Sequence, residues 1–244
     1  MYILRFANWR PQTDAILGKH LFSRISRPIR EVFLQYHVFA VGPLEANCAV
    51  LFESPSGDAV VIDPGGDANT ITRFLDEHHL TPRYFLHTHG HFDHVGALSA
   101  LKKKYPDATY LIHQQDETLA MHADKTAQLY GLQALPATAA DAYLSAETSL
   151  QLGASQITVI ETPGHTPGGV CFYLNEENLL FSGDTLFQGS IGRTDLPGGN
   201  YDQLIHSIRT KLFGLPDEVV VIPGHGPRTS IGAEKKHNPF FRYM

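Results

Sequence analysis

Thr88-His89-Gly90-His91-Phe92-Asp93-His94 is the most informative stretch of the chain, and it follows the apolar run 84–86. It places three imidazoles and one carboxylate at a point where a strand is expected to end. Imidazole and carboxylate are the usual protein ligands of zinc, iron and manganese. Burying so many polar groups without a metal or full hydrogen bonding would be costly. The stretch therefore predicts a metal site, with a His-rich surface loop as the alternative.

Composition indicates a globular protein with a substantial core. The 244 residues are 43% hydrophobic and 18% charged, which fits one large α/β domain or two small ones. A formal net charge of -6 offers no basic face for nucleic acid. No apolar run reaches the ~20 residues of a transmembrane helix, so we expect no membrane partner and a cytoplasmic location. Cys48 and Cys171 lie in apolar stretches, which predicts buried reduced thiols.

The first 33 residues differ from the rest of the chain. Residues 1–30 carry six Lys or Arg residues against one acidic residue, Asp14, and their apolar residues fall near helical spacing. Such a start resembles an organellar transit segment, but a poorly ordered extension or a misassigned start codon fits equally well. We predict a basic N-terminal extension of unknown role over residues 1–33 and a functional domain over residues 34–244.

From about Leu34 the pattern becomes regular, and it favours an α+β architecture of two packed sheets with helices outside. The predicted strands are 33–41, 47–52, 59–62, 84–87, 109–113, 157–160, 170–174, 179–182 and 219–222, and the predicted helices include 95–104 and 201–212. Asp67 is a candidate N-cap for a further helix. Residues 115–150 have weak periodicity and many alanines, which predicts short helices and loops that line one side of the site.

Three later strands also end in Gly- or Pro-rich turns, and each turn carries one potential metal ligand. His165 follows the strand at 157–160, Asp184 follows 179–182, and His225 follows 219–222. Glycine lets the backbone approach closely, and such turns carry side chains beyond the edge of a sheet. Together with the histidine stretch, these turns predict one coherent metal site.

These residues resemble the metallo-β-lactamase superfamily, whose pattern His-x-His-x-Asp-His is followed by a later His, an Asp and a final His. The resemblance extends from about residue 34 to residue 241 and implies an αββα sandwich with a two-metal site along one edge. It implies that His89, His91 and His165 hold the first metal, that Asp93, His94 and His225 hold the second, and that Asp184 bridges them. This donor set suits two divalent ions, with zinc as the leading identity and iron or manganese as alternatives.

Within the superfamily, the chain is most similar to the hydroxyacylglutathione hydrolases, the glyoxalase II group. Segments 63–66, 183–187 and 192–195 resemble that group, and segments 224–227 and 238–241 resemble its compact bacterial form without the C-terminal helical domain. The longer enzymes hold glutathione with that domain and carry a tyrosine two residues after the final metal-binding histidine, where this chain has Pro227. Arg193 occupies the position of a basic substrate-binding residue and can bind a carboxylate group of the substrate.

The resemblance implies hydrolysis of small-molecule thioesters, such as the glutathione conjugate S-D-lactoylglutathione. Two cations sharing a water through Asp184 would supply hydroxide near neutral pH, and this bridging hydroxide would attack the thioester carbonyl. Asp93 would orient the nucleophile, so Asp93 and Asp184 are the expected catalytic residues. The β-lactamases lack a bridging aspartate at that position, so Asp184 argues against antibiotic hydrolysis.

Two other functions remain open at the level of sequence. One is an iron-dependent persulfide dioxygenase that oxidises glutathione persulfide, with a single iron at the equivalents of His89, His165 and Asp184. The other is a non-catalytic metal-binding or regulatory protein on the same scaffold, against which the full ligand set argues.

Overall fold

Two six-stranded sheets pack against each other through apolar faces, and helices cover their outer faces. The structure is a computed structural model that describes residues 34–53 and 57–242. The predicted extension over residues 1–33 lies outside the described residues. Within the described residues, no helix has the length and apolar character needed to cross a membrane.

The first sheet has the strand order β1-β2-β3-β4-β5-β6. Its strands are β1 Gln35–Val41, β2 Ala46–Phe52, β3 Gly57–Ile62, β4 Leu80–Leu86, β5 Thr109–His113 and β6 Ala142–Leu144. The first three strands pair antiparallel, whereas β3 to β6 pair parallel. Because parallel strands end at the same edge of a sheet, β3, β4 and β5 deliver the residues that follow them to one place.

The second sheet has the order β14-β13-β10-β9-β8-β7. Its strands are β7 Ser149–Leu152, β8 Ser155–Glu161, β9 Val170–Leu174, β10 Leu179–Gly183, β13 Val220–Pro223 and β14 Thr229–Ser230. The short strands β11 Leu186–Phe187 and β12 Ser190–Ile191 form a separate hairpin. Strands β10 and β13 are parallel, so Asp184 and His225 leave the sheet at the same edge.

The helices are short and lie outside the sheets. They are α1 Ala68–Glu77, α2 Phe92–Val95, α3 Leu98–Lys104, α4 Glu117–Met121, α5 Ala123–Leu129, α6 Tyr201–Ser207 and α7 Ile231–His237, with 3-10 turns at Gln114–Asp116 and Pro239–Phe241. A π-helical segment, Ile208–Leu212, continues α6, where one helix over 201–212 was predicted.

Three apolar cores give the molecule its layers. Strand β2 contributes to two of them because both of its faces are buried: Cys48, Val50 and Phe52 face the helices, and Ala49 and Leu51 face the second sheet. The third core joins the outer face of the second sheet to α6 and α7. The predicted αββα sandwich is confirmed, and both cysteines are free and buried, as predicted.

The helix predicted over 95–104 is confirmed over Leu98–Lys104 (α3), but its first turn is wrong, because α2 ends at Val95 and a turn at 96–97 separates the two helices. The chain leaves the helical path between them, where Ala97 N donates to Pro64 O at 2.9 Å. A side chain at Gly96 would lie 2.5 Å from Gly65 O. The contact between this turn and the segment that follows β3 therefore separates the helices, and it is a tertiary contact without a local sequence signal.

Two other local predictions need correction. Residues 115–150 do contain short helices, but they also contain β6 and the first half of β7, which take up edge positions in the two sheets. Only Leu144 of β6 is buried, so this strand lacks the apolar pattern that would have predicted it. Asp67 precedes α1 as expected but makes no side-chain cap; its Oδ2 accepts a hydrogen bond from Gly42 N at 2.8 Å instead.

Candidate metal centre

The edge at which the parallel strands end gathers every metal ligand that the sequence predicted. Ligand atoms lie within 4.8 Å of one another in three groups: His89, His91 and His165; Asp93, His94 and His225; and Asp63, His89 and His94. The first two groups are the two predicted ligand sets. The third adds Asp63, which the sequence did not single out as a site residue.

The first group is closely packed and buried. His165 Nε2 lies 2.9 Å from His91 Nδ1, and the ring centroid of His89 lies 4.8 Å from each of the other two rings. His89 is 2% exposed, and its Nε2 has no hydrogen-bond partner within the described part of the chain. Three imidazoles thus converge on one point with a nitrogen left unsatisfied.

The second group mixes imidazole and carboxylate donors. His225 Nε2 lies 3.1 Å from Asp93 Oδ2 and 3.3 Å from His94 Nε2. His94 Nε2 is also 3.8 Å from Asp93 Oδ2. The second group is more open than the first because the His225 side chain is 28% exposed.

Asp184 lies between the two groups. Its Oδ2 is 3.6 Å from His165 Nε2, whereas its Oδ1 is 3.5 Å from His94 Nε2 and 3.9 Å from His225 Nε2. Asp184 Oδ1 is buried and has no hydrogen-bond partner among the described residues. Each carboxylate oxygen therefore faces a different ligand group, which is the arrangement that a bridging ligand requires.

Two glycines make this placement possible. Gly183, at the end of β10, has a φ of +49°, which turns the chain so that Asp184 leaves the sheet. A Cβ at Gly224 would lie 2.1 Å from Asp184 Oδ1 and 2.8 Å from His94 Cε1. A side chain at position 224 would therefore occupy the space that the ligands need.

The residues present fit divalent cations. Unsatisfied buried polar atoms are costly, and two of the six such side-chain atoms among the described residues belong to the predicted ligands His89 and Asp184. Ring nitrogens face each other at 2.9 and 3.3 Å, a crowding of lone pairs that a shared cation relieves. All donors are nitrogen or carboxylate oxygen, a set that suits zinc, iron or manganese.

The electrostatics of the two groups differ. Burial and the neighbouring His165 lower the pKa of His91 to about 3, and burial together with His94 lowers the pKa of His89. Neutral imidazole is the form that binds a metal. At His94 burial acts in the same direction, but the carboxylates, first Asp93, outweigh it and raise the pKa to about 10. The carboxylates thus attract positive charge to the second group.

Hydrogen bonds from the second ring nitrogen orient most of the ligands. His94 Nδ1 lies 3.0 Å from Asp63 Oδ2, His165 Nδ1 donates to Arg193 O at 2.8 Å, His225 Nδ1 donates to Leu44 O at 3.0 Å, and His89 Nδ1 lies 3.1 Å from Thr88 Oγ1. Such partners fix the tautomer and the orientation of a ligating ring. In each case Nε2 is left to face the centre.

Sequence reasoning missed three residues that hold the loops. Asp63 Oδ1 accepts from Thr88 N at 2.7 Å, and its Oδ2 accepts from Thr88 Oγ1 at 2.6 Å. Asn47 Nδ2 donates to the carbonyl oxygens of residues 223 and 226, on either side of His225. Asp116 binds backbone N–H groups of two ligand-bearing loops. The sequence did contain a signal for Asp63, which follows a buried strand and precedes a Pro-Gly-Gly turn. It contained no such signal for Asn47 or Asp116.

The centre opens into a cavity of about 280 Å³. Its lining includes the predicted ligands His91, Asp93, His165, Asp184 and His225, the apolar residues Leu44, Phe92, Tyr130 and Leu196, and Thr126 and Arg193. Thr126 and Tyr130 come from the predicted lining segment 115–150. A larger groove, of about 760 Å³, borders Gly65 and Asp124 but contains none of the predicted ligands.

Arg193 lies at this cavity but already has a partner. Its Nε and Nη2 donate to the two carboxylate oxygens of Asp195, each at 2.7 Å. Both side chains are exposed. The pair orients the guanidinium and leaves Nη1 free of this contact.

Comparison with known proteins agrees with this geometry. Residues 41–225 match the family model described as the metallo-beta-lactamase superfamily. The chain is 38% identical over 208 residues to the hydroxyacylglutathione hydrolase GloC of Haemophilus influenzae, a match that covers 85% of this chain and 98% of that protein.

The chain is also similar to proteins of known structure. The chain is 40% identical to the BLEG-1 B3 metallo-β-lactamase, with a TM-score of 0.79 and coverage of 85% of this chain and 100% of that one. It is 37% identical to TTHA1623, solved in a di-iron-bound form, with a TM-score of 0.76 and coverage of 84% and 99%.

Proposed function

The chain belongs to the metallo-β-lactamase superfamily, and from this membership we propose that it is a metal-dependent hydrolase that cleaves thioesters. The observation that carries the proposal is the position of Asp184 between two ligand groups at the base of a cavity. The similarity to a hydroxyacylglutathione hydrolase supports glutathione thioesters such as S-D-lactoylglutathione as the leading substrates.

The proposed metal ligands are the members of the first and second ligand groups described above, together with Asp184. The first ion would be held by His89, His91 and His165 and the second by Asp93, His94 and His225, with Asp184 placed to contribute to both. The convergence of each group within 4.8 Å supports this assignment. Zinc is the leading identity, with iron or manganese as alternatives, and the di-iron form of a relative at 37% identity supports considering iron.

When bound, two divalent ions lower the pKa of a shared water so that hydroxide is available near neutral pH. Asp184 would contribute one carboxylate oxygen toward each ligand group. Asp93 lines the cavity, and its Oδ2 lies 3.1 Å from His225 Nε2, on the side of the second ligand group, so Oδ1 would be left to orient the nucleophile. Phe92, Tyr130 and Leu196 form apolar walls that can seat the acyl group. Because thiolate is a good leaving group, no dedicated general acid is required.

We expect Arg193 to bind the carboxylate of an anionic substrate. Replacing Arg193 by glutamine should raise KM for S-D-lactoylglutathione on the order of tenfold, because one charge-assisted hydrogen bond is lost, while kcat changes little. An uncharged N-acetylcysteamine thioester should show no change in KM. Steady-state kinetics with both substrates checks this.

Arg83→Gln is the matched control for this variant, because Arg83 forms an exposed ion pair with Asp58 at 3.1 Å and does not line the cavity. It should leave both KM values unchanged. An equal rise in KM for the charged and the uncharged thioester in Arg193→Gln would contradict a role in carboxylate binding.

The function as a whole is tested by measuring metal content per chain together with a substrate panel. The panel contains thioesters, glutathione persulfide with oxygen uptake, and a β-lactam, the last because one relative is named a β-lactamase. We expect about two ions per chain and thioester cleavage. One iron per chain with oxygen consumption would instead establish a persulfide dioxygenase. Absence of bound metal, with His91→Ala indistinguishable from wild type, would indicate a non-catalytic protein.

A further inference from the structure

A buried carboxylate outside the proposed ligand set connects the two loops that carry the first ligand group. Asp116 is 0% exposed and ends the 3-10 turn Gln114–Asp116 that follows β5. Its Oδ2 accepts a hydrogen bond from Gly90 N at 2.9 Å, and its Oδ1 accepts one from Gly168 N at 2.7 Å. Gly90 lies between two proposed ligands, His89 and His91, and Gly168 lies in the turn that contains the third.

Both glycines are packed closely against Asp116. A Cβ at Gly168 would lie 2.7 Å from Asp116 Oδ1, and a Cβ at Gly90 would lie 2.5 Å from Asp116 O. These distances are shorter than any normal nonbonded contact. Two loops distant in sequence thus approach Asp116 so closely, one at its carboxylate and the other at its backbone carbonyl, that neither could carry a side chain at the point of contact.

His91 shows why this contact matters for the metal centre. Its Nδ1 faces His165 Nε2 at 2.9 Å, and among the described residues it forms no hydrogen bond to a group outside the ligand set. The other imidazole ligands each have an orienting partner for their second nitrogen. The position of His91 therefore depends on the backbone of its loop, which Asp116 holds through the neighbouring residue.

We propose that Asp116 is a positioning residue that sets the separation between the loop of His89 and His91 and the loop of His165, and thereby the affinity for the first ion. The proposal rests on the metal ligands assigned under the proposed function. A carboxylate suits this role because both of its oxygens accept. In Asp116→Asn, an NH₂ group would face one of the two backbone N–H donors and leave it buried and unsatisfied.

Glu234 offers a matched control. It is 3% exposed, and its carboxylate also accepts buried hydrogen bonds, from Gly189 N at 2.9 Å and from Asn238 Nδ2 at 2.8 Å. It contacts no proposed metal ligand. Glu234→Gln should therefore reproduce the general cost of altering a buried carboxylate without altering the metal centre.

The experiment measures zinc affinity of the full chain by chelator competition, with circular dichroism to establish folding. Asp116→Asn should lower the affinity for one of the two zinc ions by about 10–100-fold and leave the affinity for the other unchanged. This is the effect expected for loss of a group that orients a ligand. Glu234→Gln should keep both affinities at wild-type values. Should Asp116→Asn not fold, Asp116→Ser takes its place, since a hydroxyl can still accept from one donor.

Folded Asp116 variants with both wild-type affinities would overturn the proposal, as would equal weakening in Glu234→Gln. Because zinc affinity is the readout, these outcomes do not depend on the substrate. A wild-type chain that binds zinc but cleaves no thioester refutes the proposed function and leaves the role of Asp116 standing. A wild-type chain that binds no divalent ion refutes both.

Discussion

Asp184→Asn should lower kcat for thioester hydrolysis by about 10²–10³-fold and reduce the metal content from about two ions per chain toward one. The substitution preserves the shape of the side chain but removes its charge and one of its two acceptor oxygens. Those oxygens face different ligand groups, at 3.6 Å from His165 Nε2 and 3.5 Å from His94 Nε2. An amide NH₂ in either place would face an imidazole nitrogen and could not bind a cation.

Metal analysis and steady-state kinetics check this result. Asp202→Asn is the control, because Asp202 is an exposed acid in the first turn of α6 and lines no part of the cavity. It should retain wild-type kcat and metal content. If Asp184→Asn kept two ions and wild-type kcat, the bridging role would be wrong.

Gly65→Ala should be the most destabilising single-methyl change near the centre. A Cβ at Gly65 would lie 1.5 Å from Asp93 O and 2.4 Å from Asp93 C. Both atoms belong to the backbone, so no side-chain rotation can relieve the overlap. We expect a loss of about 3 kcal/mol in the free energy of unfolding, or a fall in Tm of about 6–12 °C. Displacement of Asp93 should also lower the affinity of the chain for the second ion.

Thermal unfolding of the metal-free and metal-loaded chains measures both effects. Gly214→Ala is the control, since its nearest neighbour would be Thr210 O at an ordinary 3.9 Å. A Tm for Gly65→Ala within about 2 °C of the Gly214→Ala value would contradict the steric argument.

The histidine stretch after β4 shows which features of the structure a local sequence pattern can predict. Apolar runs predicted nine of the twelve strands of the two large sheets, because strand formation and turn chemistry depend on near neighbours, but β6, β7 and β14 were not predicted. The same pattern led to the αββα fold through its resemblance to a known family. It did not predict the break between α2 and α3, which arises from contact between Ala97 and Pro64.

The fold class and the side chains at the sheet edge were predictable from the sequence, because apolar runs mark strands and the Gly- or Pro-rich turns that end them carry the ligands. The contacts that hold those side chains in place form only in the folded chain. Asp116 lies 26 residues from Gly90 and 52 from Gly168, and Asp63 lies 31 from His94. Spacing along a chain does not reveal which buried N–H group lacks a partner. Only the folded backbone brings such a donor and its acceptor together.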